Sequence, residues 1–276
     1  MPDSTIEANV RLLPLTGGFN FRDLGGYATV HGERVRWQVL YRSGKLSALT
    51  PDDIAHLAPK GIQVVCDLRT QQERASDPSA HGFSPLHRSW DYDVGHSLLR
   101  DAAKADGATP QHIHDALAAT YAVMPWLYAD MYGAAFRHLI DGDLPLVFHC
   151  SAGKDRTGTL AALILTALGV PEATVMADYL LTDRYLDVDA LINTPRTQAA
   201  TAPSDPAAAA GFSFIQAMSA EMREPLLKCD PAYLLGALRA VEAKHGSVLA
   251  YVETVLGVGA DDMDKLRSRL LEPLPT

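Results

Sequence analysis

The chain has 276 residues, 47% of them hydrophobic and 21% charged, enough apolar material for one large domain with a substantial core. A formal net charge of −9 argues against the broad basic surface that nucleic acid or an anionic membrane requires, while one local basic pocket stays compatible with it. Cys66, Cys150 and Cys229 are odd in number and show no CxxC spacing, so neither a disulfide framework nor a zinc site is expected.

The opening MPDSTIEANVRLLPL places acids where a secretory leader has basic residues, and no stretch approaches the ~18 apolar residues of a membrane span. The expected location is the cytoplasm, or the exterior by a leaderless route, without stable membrane insertion. FNFRDLGGY (residues 19–27) ends in a Gly-Gly turn signal, and RVRWQVLYRS (34–43) alternates like one strand. LTPDDIAHLA predicts a short helix with Thr50 as N-cap and Pro51 at the first helical position. GIQVVCDLR predicts a buried parallel strand, and DLRTQQERAS a turn and a short helix. Residues 109–140 are helical in pattern, with a break near Pro125. A second buried strand, LPLVFHC, is followed by expected helices at 157–168 and 171–186. Residues 193–211, rich in Ala and Pro, predict a connection, with helices at 212–222, 231–244, 248–255 and 261–271 beyond it. Strands alternating with helices predict an α/β fold with a mostly parallel central sheet. The expected organisation is one domain over residues 1–276, with a core at about 17–186 and a helical extension at about 187–272.

The chemistry concentrates in LPLVFHCSAGKDRTGTLAALILTALGV (144–170), where a buried strand passes through a loop of small residues into a helix. Backbone N–H groups of such a loop and the positive end of the helix dipole form an anion site. Here the site begins with a thiol, Cys150, and ends with a guanidinium, Arg156. N–H donors and neighbouring Lys154 and Arg156 favour the thiolate, which makes Cys150 a nucleophile beneath a cradle of Ser151, Ala152, Gly153, Lys154, Asp155 and Arg156. Arg156 supplies the fork suited to two phosphate oxygens, and Thr157 a hydroxyl that can help the thiolate depart. The expected reaction is two-step phosphoryl transfer through a cysteinyl-phosphate.

HCSAGKDRTG resembles the HCxxGxxR[ST] signature of the protein tyrosine phosphatase superfamily, in particular the HCxAGKDRTG loop of bacterial atypical phosphatases that act on phosphotyrosine and often on phosphoinositides. FNFRDLGGY, LYRSGKLSALT, VVCDLRTQQER and ADYLLTDRYL resemble successive blocks of that family across about residues 17–186, and DPAYLLGALRAVEAKHGSVLAYV resembles its helical end. The resemblance implies a tyrosine-phosphatase-like fold and helices after the Ala/Pro connection that cover the pocket as a lid. It also implies a supporting role for His149, and Asp155 as the acid that protonates the leaving oxygen. Asp91 and Asp93, in SWDYDVG between strand signals, are the alternative acids. Lys154 matches a lysine of lipid-acting members. Asp67 and Arg69 sit at a strand's carboxyl end, where they contact substrate, brace the loop or form a plain ion pair. Asn20, Arg22 and Asp23 are expected to brace the loop. QHIHD (111–115) lacks companion ligands and reads as a helix surface; no metal and no cofactor is implied. Cys66 is expected as a core cysteine. The expected partner is a phosphoprotein, a phosphoinositide, or both. The alternatives are an enzyme directed mainly at inositol phosphates and a non-catalytic phosphate-binding module.

Overall fold

Period-two alternation in three short strands lays out the centre of the molecule. The computed structural model describes residues 11–80, 82–92, 98–193, 215 and 217–275. Strands β1 (Arg22–Asp23), β3 (Leu40–Ser43), β4 (Val64–Asp67), β5 (Leu86–Ser89) and β6 (Leu146–His149) form one sheet in the order β1-β3-β6-β4-β5; β2 (Glu33–Val35) lies outside it. Only β1 is antiparallel to its neighbour. Register aligns Val64 with Leu146 and Cys66 with Phe148, so these four side chains fall on one face, together with Leu40. Tyr41, Val65 and Val147 alternate onto the other.

Leu57 of helix α1 (Pro51–Leu57) packs on that second face. As expected, Thr50 caps α1, in a capping box with Asp53. After α2 (Gln71–Ser76) and α3 (Leu98–Lys104) come the helices of the larger face: α4 (Pro110–Leu127), α5 (Ala129–Asp141), α6 (Asp155–Ala167) and α7 (Glu172–Tyr185). Then follow α8 (Val188–Asn193), α9 (Ala220–Leu227), α10 (Pro231–His245), α11 (Val248–Thr254) and α12 (Ala260–Leu270), and strand β7 (Leu271–Pro273). Tyr233, Leu234, Val241, Tyr251 and Leu266 from this last part enter the same buried cluster as the sheet. Helix α6 is apolar nearly all round, and Leu160, Leu163, Ile164 and Leu165 are wholly buried. At about 1.5–3 kcal/mol for each such side chain, its position is fixed, and with it the loop that feeds its N-terminus.

Residues 34–43 differ from expectation. They form two strands separated by a turn in which Gln38 adopts φ +64°, with its N–H on Asp23. β2 leaves the main sheet to pair with β7, a pairing 238 residues apart at Arg34 and Glu272 that no local pattern announces. β5 was likewise unmarked, being half-polar and at the sheet's edge. The break expected near Pro125 falls at Tyr128, because Pro125 still fits inside the last turn of α4. Of the helix expected at 212–222, Ile215 and Ala217 are helical while 212–214 and 216 lie outside the described residues; a separate helix runs from 220 to 227, where the Ser219 hydroxyl caps the Met222 N–H. Apart from its first residue, the 193–211 connection lies outside the described residues. Among the described residues no helix is long and apolar enough to cross a membrane.

Candidate active site

β6 delivers His149 to the sheet's carboxyl edge, and α6 begins at Asp155; the five residues between them turn back on themselves. The first four carbonyls of this turn each have a partner outside the loop or on the strand before it. Cys150 O faces His149 Nδ1 at 3.3 Å, and Ser151 O accepts from the Lys45 N–H at 3.0 Å. Ala152 O accepts from Asn20 Nδ2 at 3.1 Å, and Gly153 O from Asn20 Nδ2 at 3.2 Å and Arg42 Nη2 at 2.7 Å. In a planar trans peptide the N–H points opposite to the C=O. Tying back four consecutive carbonyls therefore turns the N–H groups of residues 151–154 toward one common centre, an anion nest. Gly153 has φ +69°, and a Cβ there would lie 2.6 Å from Ser43 O and 2.7 Å from Asn20 Nδ2, so only glycine fits.

Cys150 is buried, unpaired with another cysteine, and begins the loop. Arg156 closes it from the first turn of α6. One edge of its fork is spent on protein: Nη1 lies 2.7 Å from Glu73 Oε2 and Nη2 2.8 Å from Glu73 Oε1, with Leu68 O and the Tyr92 hydroxyl also on Nη1. Among the described residues, the other edge, Nε with the remaining Nη2 hydrogen, has no acceptor, which leaves a bidentate donor pair for an anion. Glu73 also accepts from Ser151 Oγ at 2.6 Å, linking both ends of the loop through one carboxylate. Burial would raise that carboxyl, but the Arg156 guanidinium and the Ser151 hydroxyl draw it down to about 2. The Thr157 hydroxyl is buried and has no hydrogen-bond partner among the described residues.

Asp155 shares the first turn of α6, and its Oδ1 accepts from the Tyr121 hydroxyl at 2.8 Å. Lys154 behaves otherwise than expected. Its side chain is fully buried, and Nζ donates to Leu226 O at 2.6 Å and Lys228 O at 3.0 Å, at the carboxyl end of α9. The reason is electrostatic: the last carbonyls of a helix lack partners and attract a cation. Asp91 is largely exposed and pairs with Arg74, with no contact to the loop, and Asp93 lies outside the described residues.

A profile of the tyrosine phosphatase family matches residues 13–272. The chain belongs to the tyrosine phosphatase family. It is 33% identical over 259 residues to a Cupriavidus necator protein assigned by inference as a tyrosine-protein phosphatase, covering 91% of this chain and 85% of that one. It is 28% identical over 287 residues to the triple specificity protein phosphatase PtpB of Mycobacterium tuberculosis, covering 95% and 99%. A tyrosine-protein phosphatase of Nostoc commune is 32% identical over 150 residues, about half of each chain. The protein is a cysteine-dependent phosphatase.

In this phosphatase the supporting residues divide into two groups. On the sheet side, Asp67 and Arg69 form a buried bidentate pair, with Arg69 also on Asp77 O and the Ser79 hydroxyl. His149 Nε2 stands 3.5 Å from Asp67, too poorly aligned for a hydrogen bond. Burial pushes the His149 imidazole down to about 4, so it is neutral at neutral pH and its one proton serves the nearer Cys150 carbonyl. On the opposite side, Asp178 of α7 binds Arg22 Nε at 3.0 Å, Arg42 Nη1 at 2.5 Å and the Tyr27 hydroxyl at 2.9 Å. Burial would raise the Asp178 carboxyl, but the two guanidiniums hold it well below the usual carboxylate range. Asn20 thus braces the loop directly and Arg22 indirectly, through Asp178 and Asn20 Oδ1. Asp23 does not. It holds the N–H groups of Gly25 and Gln38, because it points into the β1–β3 turn. The helix-surface reading of QHIHD holds only in part: Gln111, His112 and Asp115 are exposed on α4's first turns, but Ile113 is buried in the core and the half-buried His114 stands on Asp230, because successive helical residues face different sides. Glu73, Arg42, Tyr121 and Asp178 escaped the sequence reading. Only Glu73 left a local trace, the Thr-x-x-Glu capping box of TQQE.

Proposed function

We propose that this phosphatase hydrolyses phosphotyrosine on proteins, with Cys150 as nucleophile, Arg156 as phosphate clamp and Asp155 as general acid and base. The observation that carries this reading is the set of four loop carbonyls tied to other partners, which by peptide planarity turns the following N–H groups the other way, between buried Cys150 and the open edge of Arg156. In the first step the Cys150 thiolate pair forms an S–P bond. The P–O bond to the leaving group breaks, and its electron pair leaves on oxygen, which takes a proton from Asp155. In the second step a water oxygen attacks phosphorus and gives its proton to Asp155, while the S–P electron pair returns to sulfur. The three non-bridging oxygens remain in the nest throughout, so charge developing on them meets donors already in place. The unpartnered Thr157 hydroxyl supports a role in hydrogen-bonding the departing thiolate.

A range wider than phosphotyrosine finds support in a relative named a triple specificity protein phosphatase, and phosphoserine, phosphothreonine and phosphoinositides are the further substrates to test. The Lys154 ammonium, committed to α9, does not favour a polyanionic headgroup in this conformation. The test is a panel of phosphopeptides and phosphoinositides assayed with the intact protein and Cys150→Ser. Phosphotyrosine peptides are expected to give the highest kcat/KM, with all turnover lost and thermal stability kept in Cys150→Ser. Turnover that survives the substitution would sink the mechanism; a ratio favouring inositol lipids would replace the substrate.

A further inference from the structure

The two oxygens of Asp155 stand in different surroundings. Oδ1 accepts from the Tyr121 hydroxyl at 2.8 Å and lies 3.4 Å from Lys154 Nζ. Oδ2 has no protein partner among the described residues, and the side chain is one quarter exposed. Tyr121 is itself held on three sides. Its hydroxyl is 2.9 Å from that of Tyr179, and its ring stacks on Tyr233 with centroids 5.4 Å apart. Tyr179 meets it edge-on while lying against Gly158 of α6, where an added Cβ would approach the Tyr179 ring to 3.0 Å. Three helices, α4, α7 and α10, thus fix one phenol against one carboxylate oxygen. A hydroxyl has a single proton, and a carboxylate oxygen only accepts. The chain therefore runs one way, from Tyr179 to Tyr121 to Asp155 Oδ1. Burial, with Asp155 beside it, keeps the Tyr121 phenol far above its ordinary value, so it does not ionise in the working range.

We infer that Tyr121, backed by Tyr179, is a positioning residue that reserves Asp155 Oδ1 as an acceptor and so directs the catalytic proton to Oδ2. The inference rests on the reading of Asp155 as the general acid. When Asp155 is protonated, placing the proton on Oδ1 would set two donors against each other; Oδ2 is the oxygen left to donate. The leaving oxygen then takes its proton from Oδ2 in the first step, and the attacking water returns one there in the second. Without the Tyr121 hydroxyl the carboxyl would rotate, and the proton would be shared between an oxygen that faces substrate and one that does not.

The experiment compares Tyr121→Phe, Tyr179→Phe, Asp155→Asn and the intact protein on nitrophenyl phosphate and phenyl phosphate, with inorganic phosphate as a competitive probe. A good leaving group needs little protonation, and a poor one needs it fully. Tyr121→Phe is expected to lose about tenfold more kcat on phenyl phosphate than on nitrophenyl phosphate, with the phosphate inhibition constant unchanged. Tyr179→Phe should show the same bias at smaller size, and it decides the matter if Tyr121→Phe does not fold. Equal losses on both esters in the folded tyrosine variants, beside a biased Asp155→Asn, would overturn the positioning role alone. An unbiased Asp155→Asn would overturn the assignment of the acid, and this inference with it.

Discussion

The back and the face of the phosphate loop are built from opposite materials. Behind it, Asn20, Arg22, Arg42 and Asp178 are all wholly or almost wholly buried and bind one another or loop carbonyls. On the face, Arg156 keeps one donor edge open and Asp155 keeps one oxygen open. Behind the loop, Asn20 and Arg42 bind its carbonyls, and Arg22 and Asp178 hold those two in place. Charge behind the loop is spent on protein partners, and charge on its face is left partly unpartnered among the described residues, as the proposed substrate contacts require.

Substitutions should separate the two. The largest structural loss is expected from Asp178→Ala, which strands two buried guanidiniums: about 3–5 kcal/mol of stability by denaturant unfolding, with phosphate binding lost in parallel. An Asp178→Ala protein of unchanged stability would erase the distinction. The pH dependence of stability probes the sheet side. Because His149 drops from 6.5 to about 4 on folding, the unfolded chain binds a proton that the folded one refuses. Stability therefore falls as pH is lowered through that window, by roughly 3 kcal/mol in full at about 1.4 kcal/mol per unit. His149→Gln should flatten that part of the profile. Glu73→Gln belongs between back and face, since it loosens the edge of Arg156 that Glu73 holds and one side-chain bond from Ser151, while the carbonyls tied back behind the loop keep their partners. It should cost about ten- to a hundredfold in kcat/KM on aryl phosphates through misplacement of the clamp, with a smaller change in melting temperature. Lys154→Met should have the least effect, about 1 kcal/mol, seen as faster hydrogen exchange in α9 while the rest of the fold keeps its protection.

HCSAGKDRTG was legible because its chemistry is contiguous: one strand, one turn and one helix start place Cys150, Asp155 and Arg156 together. Glu73 lies 83 residues from Arg156 and Tyr121 34 residues from Asp155. Neither carries a spacing that announces the contact. Arg42 sits in a strand whose alternation points only to burial, and Asp178 in a helix whose pattern is ordinary. Lys154 shows the converse: its place in the motif suggested one partner, and a helix end more than 70 residues away supplied another.

The sequence by itself determined the strand–loop–helix unit, the capped α1 and the buried parallel strands, because each follows from neighbours within one or two turns. Tertiary structure alone decided which side of the loop its carbonyls face, which edge of Arg156 is spent on Glu73 and which oxygen of Asp155 is held by Tyr121. Those choices depend on contacts between elements distant in sequence, where local propensity has no say and packing against a common core brings the partners within hydrogen-bond reach.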